Sequence, residues 1–236
     1  MKKMLLILSL VVLFISFFSC EEKETSNGED QLWYGFPSLV DTYYTPKTVS
    51  LRQAVIKNEF YADYPCLIMD CVMADDKTYS FDSESEQEKN AFEKYATFFG
   101  DTLCDGSHIK QHYASVLPVI SIEVTADRQF DRKHPVDSLL NDILYLYVWR
   151  DYRYEFELKR TYDKWYNGEE EPRKPLDSIS ADNPVYMLPK WFRLHFKKNP
   201  DTLGTYNLTI NMKFGADPVT GETVEIDPIK VQMEFK

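Results

Sequence analysis

From Val119 onward the chain alternates apolar and polar positions. Val119 to Thr125 does so, as do Phe192, Leu194 and Phe196 with Arg193, His195 and Lys197 between and after them. Tyr206, Leu208, Ile210, Met212 and Phe214 are separated by Asn207, Thr209, Asn211 and Lys213, and Ile229, Val231, Met233 and Phe235 by Lys230, Gln232 and Glu234. Successive side chains of a strand point to opposite faces, so each run predicts a strand with one buried and one solvated face. Such strands belong to antiparallel sheets. Several in succession, divided by turn signals such as Asp217-Pro218 and Gly221, argue for a sandwich.

Upstream the pattern changes. Cys66 to Met73 is a short, nearly continuous apolar run after Pro65, the mark of a strand buried on both faces. Residues 84–99 carry Phe92, Tyr95, Ala96 and Phe99 at helical spacing, with Glu86, Lys89, Asn90, Glu93 and Lys94 opposite. Ser83 and Glu86 fit a capping box, and Gly100 fits a C-cap. Residues 32–60 are open between a short helix begun by Ser50 and Gln53 and an extended segment. A long strand is expected from Ile143 to Lys159, followed by a charged loop, Asn167 to Pro175. The fold class is therefore mainly β, an antiparallel β-sandwich with one packed α-helix. Residues 32–236 form its single domain.

The amino terminus follows a different logic. Lys2-Lys3, an apolar run from Met4 to Phe18, Ser19 and then Cys20 describe a secretory signal over residues 1–19 whose cleavage leaves a cysteine first. This run of fifteen residues falls short of the roughly 20 that span a bilayer. Ser19-Cys20 resembles the end of a bacterial lipobox of the loose Bacteroidetes type, and Glu21-Glu22-Lys23-Glu24 resembles the acidic tag that exports such lipoproteins to the outer face of the outer membrane. That resemblance implies acylation of Cys20, a membrane partner reached through the lipid, and a flexible tether over residues 20–31 whose polar composition can bury no core.

Loss of residues 1–19 removes two lysines from the 27 basic residues and none of the 38 acidic ones, leaving a net charge of −13. A surface of that sign repels nucleic acid, which is not expected as a partner. Cys66, Cys71 and Cys104 remain. The first two lie five apart in a presumed strand, about 16 Å at 3.3 Å per residue, too far to bridge each other, so buried free thiols are expected.

Asp201 to Leu208 resembles the turn that enters a late strand in immunoglobulin-like domains, where a tyrosine two residues before a core position folds its hydroxyl back onto the preceding loop. Tyr206 takes the tyrosine's place and Leu208 the core position. The resemblance implies an immunoglobulin-like sandwich and says nothing of activity.

Candidate chemistry is sparse. Cys104, His108 and His112, four apart, would line one side of a helix as soft zinc ligands, but Gly106-Ser107 between the first two argues for a loop, and no metal or other cofactor is expected. Asp127, Asp131, Asp137 and Asp142 match no calcium-loop spacing and read as turn and capping residues. Glu155 and Glu157 share a strand face at the spacing of a glycosidase pair, yet Arg153 and Lys159 flank them as in a solvated charge ladder. The chain contains no nucleophile elbow, zinc-protease helix, phosphate loop or dinucleotide fingerprint.

Aromatic residues with a polar handle offer the best binding pointer. Tyr145, Tyr147 and Trp149 occupy alternate positions opposite Leu144, Leu146 and Val148, and Trp191 stands beside Arg193 and His195. With both faces of the first segment apolar, burial under the helix is the competing expectation. By its likeness to small Bacteroidetes lipoproteins, the chain is expected to be a non-catalytic binding or accessory module with a glycan or protein partner. A fimbria-like structural subunit assembling through the strand Ile229 to Phe235, and a glycan-processing hydrolase, are the alternatives.

Overall fold

The computed structural model describes residues 40–55, 65–101, 111–147 and 173–236. Its strands are β1 (Val40–Val55), β2 (Cys66–Ser80), β3 (Gln111–Ser115), β4 (Val119–Ala126), β5 (Leu144–Tyr147), β6 (Arg173–Pro175), β7 (Trp191–Phe196), β8 (Gly204–Phe214) and β9 (Ile229–Phe235), with a helix α1 (Glu86–Phe99) after β2. They form two sheets, ordered β3-β1-β2-β7-β5-β6 and β4-β8-β9. All neighbours are antiparallel except β1 and β3, which run parallel. The chain is a mainly β protein with two sheets over one shared core and a helix packed on it.

The alternating segments behave as their side chains require. In β8 and β9 the apolar positions are buried, from Tyr206 and Leu208 to Met233 and Phe235, while Lys230, Gln232 and Glu234 face water. Phe130, Phe196, Tyr206 and Phe235 form an aromatic nucleus between the sheets: Phe130 stacks on Phe196 at 5.6 Å and meets Tyr206 and Phe235 edge-on. The Tyr206 hydroxyl donates to the Thr202 carbonyl, four residues upstream, at 2.6 Å, and Leu208 is buried, as the tyrosine-corner reading requires.

Residues 40–55 form a strand, not the short helix that Ser50 and Gln53 left open. β1 loses its register with β2 around Pro46 and again between Leu51 and Gln53. Each bulge breaks the period of two, and a proline is tolerated in a sheet at such a place because it has no N–H to donate. Of the long strand expected to start at Ile143, Leu144–Tyr147 is seen, Ile143 itself closing a 3-10 turn, and the residues from 148 on lie outside the described ones.

The helix begins two residues later than the capping box Ser83/Glu86 suggests. Ser85 is the cap, accepting from the Glu88 N–H at 3.4 Å, while the Ser83 hydroxyl accepts from the Ser85 N–H and donates to the Glu88 carboxylate. The sequence Ser83-Glu84-Ser85-Glu86-Gln87-Glu88 contains the Ser-x-x-acid spacing twice, and the later copy wins because Ser83 then supports both ends of the box. Replacing Ser85 with Ala should lower stability by roughly 1 kcal/mol in urea unfolding, with Ser83→Ala costing less. An equal loss at both positions would return the cap to Ser83. At the other end Gly100, at φ 70°, caps with its N–H, a left-handed conformation that glycine adopts without strain.

The helix stripe packs on Tyr43, Tyr79, Phe81 and Tyr186, not on Tyr145 and Tyr147. Two buried carboxylates pin it. Asp101 accepts from the Tyr43 hydroxyl at 2.8 Å and the Val40 N–H. Asp217 accepts from the Tyr95 hydroxyl at 2.7 Å while its other oxygen takes the Val219 and Thr220 N–H groups.

Candidate functional site

The cross-strand register of the larger sheet gathers the predicted aromatics on one face. Tyr145 lies opposite His195 and Tyr147 opposite Arg193, while on the other side of β7 His195 faces Cys66, Arg193 faces Ile68 and Trp191 faces Asp70. Directly opposed residues of paired strands share a face. Tyr145, Tyr147, Trp191, Arg193, His195, Cys66, Ile68 and Asp70 therefore stand on the side of the sheet away from Phe192, Leu194 and Phe196. Trp149 lies outside the described residues.

This face is graded from closed to open. Arg193 and His195, which their polar character would send to water, are buried at 6% and 5% exposure, a correction to the simple reading of alternation. Tyr147 is buried with them: the Arg193 guanidinium lies 5.1 Å from its ring centroid and the His195 ring 5.4 Å away. Arginine can stack on an aromatic face while keeping its in-plane donors for other bonds, which lets it sit in an enclosed layer. Tyr145 is half-buried with the Lys197 ammonium 4.2 Å over its ring, and that ammonium also donates to the Asp142 carbonyl. Both tyrosine rings are thus occupied by the protein's own cations.

Trp191 is different. It is 45% exposed, at the start of β7, with the Arg52 guanidinium 6.0 Å from its ring centroid. Arg52 shares the parity of Ser50, which pairs with Asp70, and so stands on this face, beside the bulge between Leu51 and Gln53. A cleft of about 390 Å³ opens on β2, lined among others by Asp70, Val72, Asp75, Thr78 and by Lys190, the residue before Trp191. Asp70 Oδ1 is enclosed and accepts no hydrogen bond from the protein. A buried acceptor in that condition costs free energy until a donor reaches it.

The two described cysteines are free and buried, on opposite faces of β2. Burial pushes the Cys66 thiol up, with Arg193 working against it, and pushes Cys71 up to about 12, with the Tyr44 hydroxyl working against it. A thiol held protonated is a poor nucleophile and a poor metal ligand. His112 falls in strand β3, whereas Cys104 and His108 lie outside the described residues, as do Glu155 and Glu157. Among the described residues no three His, Cys, Asp or Glu side chains form a group that would hold a metal ion, and no helix is long and apolar enough to cross a membrane.

Sequence reasoning missed one polar cluster. The aspartates assigned to turns include Asp131, which accepts from the Lys133 and His134 N–H groups and, at 2.8 Å, pairs with His134 Nδ1. His134 Nε2 pairs with Asp142 at 2.7 Å, and Lys198 pairs with Asp131 at 2.5 Å. The turn was legible, because Asp followed by two N–H groups is a local motif. Lys198, 67 residues away, left no local signal. Asp127 caps the neighbouring strand by accepting from the Asn207 N–H and side-chain amide.

The chain matches no protein-family model, no curated protein and no solved structure with which it was compared.

Proposed function

We propose that the chain is a lipid-anchored, non-catalytic binding module that holds a sugar ring between Trp191 and Asp70. The observation that carries this reading is the cross-strand pairing of an exposed indole with a carboxylate oxygen that has no donor of its own. Opposed side chains in a sheet stand about 5 Å apart, so one pyranose can lay its apolar face on the indole while a hydroxyl donates to Asp70. Thr78 and Lys190 in the same cleft supply further polar contacts. A cleft of this size with a few convergent polar groups is an ordinary small-ligand site. The net charge of the chain disfavours polyanionic glycans, so neutral sugars are the ligand class.

Cys20 supplies the anchor in this reading, and the acidic residues after it direct the protein to the outer membrane surface. Membrane-fraction mass spectrometry should find acyl chains on Cys20. A glycan array followed by calorimetry should find a neutral oligosaccharide whose affinity falls roughly tenfold or more in Trp191→Ala and in Asp70→Asn. Silence across the array, or unchanged affinity in both variants, rejects the site.

A further inference from the structure

The outer strands of the sheets are not finished alike. β4 is closed along its free side: Val119 exchanges hydrogen bonds with Val185, Leu140 donates to the Val124 carbonyl, and Asp137 donates to the Ala126 carbonyl. Between them the Asn141 side chain acts as a substitute peptide group, accepting from the Val124 N–H at 3.1 Å and donating to the Ile122 carbonyl at 2.6 Å. β3 is likewise tied on its outer side, through Ser115, to Leu188. Among the described residues β9 has no such hydrogen-bonded cover. Its ladder with β8 runs unbroken from Ile229 to Phe235, and from the other side no described residue gives it a backbone hydrogen bond. Within its span it has no proline, bulge or inward charge, the usual guards of an edge.

We propose that β9 is the interface through which two copies of this chain pair, antiparallel and centred on Gln232. The argument is charge complementarity. About that centre Gln232 meets its own copy, Lys230 meets Glu234, and Glu234 meets Lys230, so the exposed face of one strand carries the complement of itself. On the inner face Ile229 meets Phe235 and Val231 meets Met233, all apolar. Sliding the pair by two residues in one direction sets Lys230 against Lys236, and in the other it sets Lys230 against Gln232. Of these three registers only the centred one gives two opposite-charge pairs. Since strand residues alternate which side their N–H and C=O groups face, a register that pairs residues of like parity aligns the free backbone groups of both strands. The contact is a closed twofold one, so it stops at a dimer, and it joins the two small sheets into one ordered β4-β8-β9-β9-β8-β4. Within one copy Glu234 is held at 3.3 Å by Lys236, an exposed pair that screening weakens, and Gln232 donates to Asn207 at 3.3 Å. A lone edge lysine discourages foreign strands. Here it also selects the one strand with glutamate in the matching place.

This inference is independent of the sugar site, which lies on the larger sheet. Two experiments on the full chain test it. In membranes under mild oxidation, Gln232→Cys should form a disulfide-linked dimer, because facing residues of an antiparallel pair lie within disulfide reach, and Thr205→Cys on the neighbouring strand should not. In sedimentation of the detergent-solubilised protein, Lys230→Glu and Glu234→Lys should each weaken the dimer by about tenfold or more, by turning two attractive pairs into repulsive ones. The double variant Lys230→Glu/Glu234→Lys should regain it, and an equal mixture of the single variants should form the mixed dimer. A wild-type chain that sediments as a monomer, no cross-link at position 232, or a double variant no better than the singles overturns the proposal.

Discussion

Phe130→Ala is expected to lower the unfolding free energy by about 4 kcal/mol, the range for deleting a buried aromatic side chain. Phe130 is wholly buried and touches three other rings, Phe196 in the large sheet and Tyr206 and Phe235 in the small one. Its removal opens a cavity where the two sheets meet, and the backbone around it resists collapse: the Phe130 N–H donates to the His134 carbonyl and its own carbonyl accepts from the Asp201 N–H. Phe130→Leu keeps most of the volume and should cost less than half as much. Urea unfolding followed by tryptophan fluorescence gives both values. A loss under about 1 kcal/mol for Phe130→Ala would mean that the sheets do not share this core.

What the sequence made legible follows from where water lies. β8 and β9 were readable because one face is solvated, so polar residues mark every second position from Asn207 to Lys213 and from Lys230 to Glu234. β7 looked the same and differs: Arg193 and His195 occupy the polar positions yet are buried, stacked beside Tyr147. Alternation reports which face a side chain takes, not whether that face is wet. β1 was unreadable because its pairing with β2 shifts register three times within sixteen residues. The candidate site shows the same division. Trp191 could be picked from the sequence as an aromatic on a polar face, but Asp70 could not, since nothing local ties a residue in β2 to one 121 positions later. Only the register between strands makes them neighbours.

The buried Asp131 cluster leads to the second large effect. Burial opposes ionisation of Asp131, but the bonds it accepts from Lys198, from the His134 ring and from the Lys133 and His134 N–H groups outweigh it and hold the carboxyl well below the ordinary carboxylate range. A carboxyl whose folded value lies below its unfolded value contributes stability that is full above the unfolded value, near pH 4, and is lost as pH falls from there toward the folded value. Asp131→Asn keeps the shape and one acceptor oxygen while removing the charge. At pH 7 it should cost roughly 2–3 kcal/mol, the scale of charge-assisted hydrogen bonds, because Lys198 and His134 lose a charged partner. The difference between wild type and variant should then shrink as pH drops below about 4, where Asp131 of the unfolded chain takes up its proton while the folded carboxyl stays charged. Denaturant unfolding at pH 7, 4 and 3 measures that gap directly. A gap that stays constant over the series would show that it does not come from the charge of Asp131. A closing gap would mean that its charge joins the 130–134 turn to Lys198, next to the strand that carries the candidate site.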